Sequence, residues 1–168
     1  TSAYHCVQLE GDFVECGVYA GSGIKVVMDY LGGTQFPKTF WGYDTYDYNP
    51  VEGHSFDGQE EGFFEKVQAR FAEYEQVRLI KGFIPDSFVG NIPEKIAYMH
   101  VDLNNAPAEI AVFESLFDRV VSGGMIILDD YEWSGIYRPQ KAAEDSWLEE
   151  RSYRVMPLPT GQGLILKR

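Results

Sequence analysis

One stretch limits the fold more than any other: Val14-Glu15-Cys16-Gly17-Val18-Tyr19-Ala20-Gly21-Ser22-Gly23. Residues 12–17 read as a buried strand. Ile24, Val27, Met28 and Leu31 then repeat at helical spacing, so a helix over 22–31 follows, closed by Gly32-Gly33. Three glycines between strand and helix let the backbone turn sharply and approach a ligand closely. The helix N-terminus beyond them offers unpaired N–H groups. A strand–glycine turn–helix unit of this kind belongs to an α/β sheet.

The rest of the chain repeats the alternation. Strands are expected at 39–44, 77–82, 96–102 and 125–130, the last continuously apolar, as suits a strand covered on both faces. Phe63, Phe64, Val67, Phe71 and Tyr74 mark a long amphipathic helix. A helix starting at Pro107 turns Ile110, Phe113, Leu116, Phe117, Val120 and Val121 to the sheet and stops at Gly123-Gly124. Another spans 140–150. Residues 153–158 and 163–167 are close enough to form a hairpin. A short N-terminal helix within 1–10 would turn Tyr4, Val7 and Leu9 inward. The expected architecture is a doubly wound, mostly parallel seven-stranded sheet with a C-terminal antiparallel hairpin, in one domain over 1–168.

Composition narrows the chemistry. The net charge is −12, and no basic patch is available to meet phosphates, so nucleic acid is excluded as a substrate class. No apolar run is long enough to span a bilayer. Cys6 and Cys16 have no metal-type spacing and fit a reducing cytosol. The chain begins at Thr1 without a methionine, which suggests a processed or trimmed piece.

In an open α/β sheet ligands sit beyond the carboxyl ends of the strands. Four strand ends carry acids: Glu15, Asp44, Asp102, and the pair Asp129-Asp130. Like charges so gathered repel, which calls for a cation. Asp102, Asp129 and Asp130 offer hard oxygen ligands suited to Mg²⁺ or Mn²⁺; a helix cap or turn is the plainer role for the Asp pair. Asp44 stands about 20 residues past the glycines, where such folds place the acid that binds a ribose. His100 shares a sheet face with Asp102 and reads either as a core histidine or as a base. Trp133 and Tyr137 either wall a pocket or simply pack. Tyr46, Tyr48 and His54 lie in a polar loop and read as solvent-facing or substrate-touching.

The glycine order, Glu15-x-Gly17-x-x-x-Gly21-x-Gly23, departs from the G-x-G-x-x-G of nicotinamide folds and resembles the first motif of class I S-adenosylmethionine (SAM) methyltransferases. Five segments together resemble the macrocin O-methyltransferase family: Gly11 to Val18, Gly42-Tyr43-Asp44-Thr45-Tyr46, His100-Val101-Asp102-Leu103-Asn104, Ser122-Gly123-Gly124 with Leu128-Asp129-Asp130-Tyr131, and Leu158-Pro159-Thr160-Gly161-Gln162-Gly163. The resemblance implies a SAM- and Mg²⁺-dependent methylation of a small hydroxylated acceptor, such as a natural-product sugar. It implies metal ligands at Asp102, Asp129 and Asp130. The cofactor would lie against Glu15, Gly17, Tyr19, Gly21, Ser22, Gly23, Asp44, Gly82, Phe83 and Asp102. Asp130, Glu132 and His100 are the residues available as a base. Family members carry a longer N-terminal region for lid and oligomer, so the pocket here is expected to be more open, or the chain a fragment. A non-catalytic SAM-fold module and a metal-independent methyltransferase stay open as alternatives.

Overall fold

The computed structural model describes residues 2–46 and 62–168. In chain order the elements are α1 (Ser2–Cys6), β1 (Asp12–Cys16), α2 (Ser22–Tyr30), β2 (Phe40–Asp44), α3 (Phe63–Arg70), β3 (Val77–Lys81), β4 (Ile96–Val101), α4 (Ala106–Leu116), β5 (Val120–Leu128), α5 (Arg138–Glu149), β6 (Met156–Pro157) and β7 (Gly163–Leu166). They build a seven-stranded sheet of order β3-β2-β1-β4-β5-β7-β6. Strands β1 to β5 are parallel; β7 runs antiparallel to both β5 and β6. The expected architecture is therefore the one formed.

Each sheet face carries its own apolar layer, as alternating strand side chains require. Val14, Cys16, Met99, Val101, Ile126 and Leu128 pack with Val112, Phe113 and Leu116 of α4 and Leu148 of α5. On the opposite face Phe13, Phe40, Tyr98 and Ile127 pack with Ile24 and Met28 of α2 and with Phe63 and Val67 of α3. Gly42 leaves the room for Ile24 and Val18: a Cβ there would stand 2.8 and 2.9 Å from their side chains.

Four central strands stop in register. Tyr43, Cys16, Val101 and Leu128 are lateral partners across β2, β1, β4 and β5. The ladder runs one residue further, with Gly17 N–H on Tyr43 O (2.9 Å), Asp102 N–H on Cys16 O (2.8 Å) and Asp129 N–H on Val101 O (3.0 Å). Asp44, Gly17, Asp102 and Asp129 therefore stand side by side along one edge.

Several boundaries differ from the sequence expectation. Gly123-Gly124 does not stop α4. That helix ends at Leu116, tightens through 117–119 and leads directly into β5 at Val120. The apolar run that drives strand formation begins at Val120, and the glycines form an irregularity where β5 passes Ala97 of β4. α4 buries Glu109, Val112, Phe113 and Leu116 rather than Ile110. α3 ends at Arg70, with Phe71 and Tyr74 packing from the turns beyond. α1 is one turn and buries Cys6, whereas Tyr4 is 61% exposed. The final strands are shorter than 153–158 and 163–167. Tyr46 is buried against Phe64, not solvent-facing. Tyr48 and His54 lie outside the described residues.

Two glycines test how rigid the register is. A Cβ on Gly17 would lie 1.8 Å from the Asp102 carbonyl oxygen, at φ +90°, whereas the atoms around Gly42 are the ends of flexible side chains. Gly17→Ala is expected to cost at least ~3 kcal/mol in urea denaturation and Gly42→Ala about 1–2 kcal/mol. Equal costs would show that the crossing at Gly17 can relax.

Candidate functional site

The turn after β1 is held from two sides. Asp44, at the end of β2, accepts Val18 N–H at 2.8 Å and Tyr19 N–H at 2.7 Å on one carboxylate oxygen, and Tyr46 N–H at 2.7 Å on the other. Glu15 is buried and accepts Ile24 N–H at 3.2 Å, satisfying one of the free donors at the start of α2. A Cβ on Gly23 would lie 2.2 Å from that carboxylate, so the glycine lets α2 settle onto Glu15. Gly21 sits at φ +80° against the Phe71 ring. Tyr19 (φ +48°) packs its ring against Phe63. Ser22 and Gly23 are exposed. One strand over, Gly82 N–H bonds Asp44 O at 3.0 Å, and Phe83 is 67% exposed. The glycine turn, Asp44, Gly82 and Phe83 thus border one continuous edge, while Glu15 works from beneath it.

Asp102, Asp129 and Asp130 each offer an oxygen within 4.8 Å of the others. Their surroundings differ. Burial, then the neighbouring Asp129, pushes the Asp102 carboxyl up to about 7. The opposite holds for Asp129, whose carboxylate is held below its ordinary value by hydrogen bonds from His100 and from Gln162 (2.6 Å), against the effect of burial. Asn104 donates to Asp102 at 3.2 Å, and the Tyr137 hydroxyl bonds Asp130. Three crowded hard oxygen donors, one of them costly to ionise, are a set a divalent cation fits.

His100 lies below this cluster, with Nδ1 3.0 Å from Glu15 and Nε2 3.4 Å from Asp129. Burial lowers its proton affinity, but the two carboxylates outweigh it and push the imidazole up to about 10. With a carboxylate facing each ring nitrogen, the imidazole is held toward its charged form, which disfavours it as a base. Glu132 is paired with Lys141 at 3.1 Å. Of the three residues named for that role, Asp130 alone belongs to the carboxylate cluster.

The sequence reading missed a second buried acid pair. Glu109 of α4 and Glu144 of α5 are both fully buried and face each other; Glu109 Oε2 and both Glu144 carboxylate oxygens have no hydrogen-bond partner among the described residues, and one proton held between the two carboxyls would supply it. Burial, then Glu109, pushes the Glu144 carboxyl up to about 10. Glu109 also accepts Leu103 N–H at 3.1 Å, beside Asp102. The signal was present: Glu109 falls on the stripe of Val112, Phe113 and Leu116, and Glu144 on that of Gln140 and Leu148. Gln162 was visible too, inside the Pro159 to Gly163 motif.

Comparison with known proteins agrees with this geometry. The family model for Macrocin-O-methyltransferase (TylF) matches residues 4–152. A curated Streptomyces olivaceus protein, 8-demethyl-8-(2,3-dimethoxy-alpha-L-rhamnosyl)-tetracenomycin-C 4'-O-methyltransferase, is 27% identical over 140 residues, 72% of this chain. The chain spans about half, 53%, of that relative's length. Among solved structures, the O-methyltransferase NovP superposes with a TM-score of 0.79 at 19% identity, over 99% of this chain and 76% of NovP. CalS11, a TDP-rhamnose 3'-O-methyltransferase of calicheamicin biosynthesis, gives 0.71 at 18% identity, over 98% and 75%. At these identities the two structures establish the fold: that of class I SAM methyltransferases.

The Glu144–Glu109 pair sets a pH dependence. A carboxyl raised in the folded state contributes stability that is complete below its unfolded value, near 4.5, and lost as pH climbs through about 10. Stability should fall by ~3 kcal/mol or more between pH 5 and 10 from this group. Glu144→Gln keeps a donor toward Glu109 and should flatten that decline in denaturant titrations. An unchanged pH profile in the variant would show that the pair shares no proton.

Proposed function

This chain belongs to the macrocin O-methyltransferase family, and on that premise we propose that it transfers the methyl group of SAM to a hydroxyl of a small molecule, a sugar or sugar-bearing natural product, with a divalent metal at Asp102, Asp129 and Asp130. The observation that carries this reading is the placement of that carboxylate cluster one strand away from the glycine turn, on the same sheet edge.

Gly17 to Gly23 would carry the cofactor, and Asp44, which already accepts three backbone N–H groups, would accept a ribose hydroxyl. Gly82 and Phe83 would border the adenine end, and Asp102 would stand between cofactor and acceptor. Asp102, Asp129 and Asp130 would hold Mg²⁺ or Mn²⁺, whose charge would lower the proton affinity of an acceptor hydroxyl and fix its approach. The acceptor oxygen forms a bond to the methyl carbon while the carbon–sulfur bond breaks toward sulfur, leaving S-adenosylhomocysteine. Asp130 takes the hydroxyl proton. His100 stays charged and holds Glu15 and Asp129 in place. Positioning is the protein's main contribution.

The aspartates should answer differently to neutralisation. Asp102→Asn removes the costly charge and is expected to raise metal-free stability by about 1–3 kcal/mol at pH 8. That gain should vanish toward pH 4, because a raised carboxyl costs stability only above its unfolded value. Asp129→Asn removes the charge that the His100 ring and the Gln162 amide bond to and should lower stability by a similar amount. Both should abolish the Mg²⁺-induced rise in melting temperature, which in wild type corresponds to ~2.7 kcal/mol at a hundredfold excess over Kd. A wild-type melt that no divalent cation shifts, with transfer intact in EDTA, would remove the metal from the reading.

Asp44→Ala is expected to weaken S-adenosylhomocysteine binding by about 1.5–3 kcal/mol in calorimetry. It should also cost about 1–2 kcal/mol of stability, since three N–H groups lose their acceptor. Unaltered affinity would take Asp44 out of the cofactor site.

A further inference from the structure

Glu109 and Glu144 stand where the buried stripes of α4 and α5 meet. Glu109 shares its helix face with Val112, Phe113 and Leu116, and Glu144 shares its own with Gln140 and Leu148. Both acids are 0% exposed. The helices already pack around them without polar help: Leu148 lies in the layer of Val112, Phe113 and Leu116, and the Phe113 and Trp147 rings stand 5.1 Å apart. Holding two carboxyls in such a place is costly, and apolar residues of similar volume commonly serve stability as well or better. The acids therefore need a reason other than joining α4 to α5.

Their attachments supply one, because each helix is tied to a different side of the carboxylate cluster. On the α4 side, Glu109 accepts the Leu103 N–H at 3.1 Å, one residue past Asp102. The same loop passes through Asn104 at φ +54°, whose side chain donates to Asp102 at 3.2 Å, and enters α4 at Asn105, which accepts Ala108 N–H at 3.0 Å. On the α5 side, Tyr137 stands just before the first helical residue, Arg138, and its hydroxyl bonds Asp130. One turn further, Lys141 pairs with Glu132 at 3.1 Å, and Asp145 accepts the Tyr131 hydroxyl at 2.5 Å. Asp102 is thus set by the start of α4, and Asp130 by the start of α5. One Glu109 oxygen is spent on Leu103. The other is buried and turned to Glu144, whose two oxygens are likewise without a partner among the described residues. One proton between the carboxyls would fix Glu109 against α5 while it holds the loop.

We propose that Glu109 and Glu144 are positioning residues that set the separation of Asp102 from Asp130, and with it the fit of the cluster to a divalent cation. The proposal rests on the metal-dependent reading above and adds the residues that tune its site from behind. Neither carboxyl touches the cation. Glu109 acts through the Leu103 backbone, and Glu144 acts through Glu109 and the α5 helix that carries it. A small hard cation such as Mg²⁺ demands near-ideal geometry from its oxygens. A shift of the 102–105 loop relative to α5 is therefore felt as a loss of affinity.

The test uses the full chain with Mn²⁺ as probe. Electron paramagnetic resonance reads free Mn²⁺, and NMR reads hydrogen exchange of the Leu103 amide in the metal-free protein. Glu109→Leu is expected to weaken Mn²⁺ binding about tenfold or more and to speed Leu103 exchange markedly. Glu109→Gln keeps an oxygen for Leu103 and an amide donor for Glu144, so both readings should return to within about twofold of wild type. Glu144→Leu leaves Glu109 with no group to hold it against α5 and should weaken Mn²⁺ binding several-fold. A merely structural pair would move the melting temperature alone. Unchanged Mn²⁺ affinity and Leu103 exchange in folded Glu109→Leu overturn the proposal, as does a Glu109→Gln variant no better than Glu109→Leu. If Glu109→Leu does not fold, Glu144→Leu decides, and unchanged Mn²⁺ affinity there overturns the pair. Mn²⁺ binding that no variant alters leaves the metal reading standing without this proposal. If wild type binds no Mn²⁺, the metal reading fails first and takes the proposal with it.

Discussion

Everything at the functional edge depends on one close approach: the backbone of Gly17 against the carbonyl of Asp102. It lets β1 and β4 finish in register and leaves no room for a side chain between the glycine turn and the carboxylate. The ladder then carries that alignment sideways to Asp44 and Asp129 through single backbone hydrogen bonds. A parallel sheet with this order brings four strand ends to one line. What distinguishes this chain is that the residue just past each end is either a glycine or an acid.

The acids gathered there are one residue type put to different uses by their surroundings. Asp129 is stabilised as an anion by the imidazolium of His100 and the amide of Gln162. Asp102, deeper and beside another carboxylate, resists ionisation. Asp44 spends its charge on three backbone N–H groups and so organises the turn it borders. Glu15 is turned inward, where it caps α2 and balances His100. Among the described residues, the crowded set of Asp102 with Asp129 and Asp130 keeps a repulsion that an added cation would relieve.

Behind the edge, a second polar layer runs through the packing of α4 on α5. The Glu109–Glu144 pair is buried among apolar side chains, where a lone carboxylate would be very costly. Sharing a proton would lower that cost, and the other Glu109 oxygen accepts the Leu103 N–H, next to Asp102. The helices that cover one face of the sheet are thereby coupled to the loop that positions a carboxylate of the site.

The sequence by itself determined the strand–turn–helix unit at 12–31, the alternation that demands a parallel sheet, and the acids at strand ends. Local periodicity and glycine spacing carry all of these. It also held the motifs that resemble the macrocin O-methyltransferase family. It misplaced the end of α4, because Gly123-Gly124 reads as a helix stop, while the pairing of β5 with β4 decides where the strand begins. The meeting of Glu15 with His100, the pairing of Glu132 with Lys141, and the meeting of Glu109 with Glu144 were not legible. Each depends on partners separated by as few as 9 or as many as 85 residues, and proton affinity follows from burial and neighbours that only the packed sheet brings together. Tertiary structure alone decided which of these acids serve the turn and helix beside them and which crowd together at the strand ends.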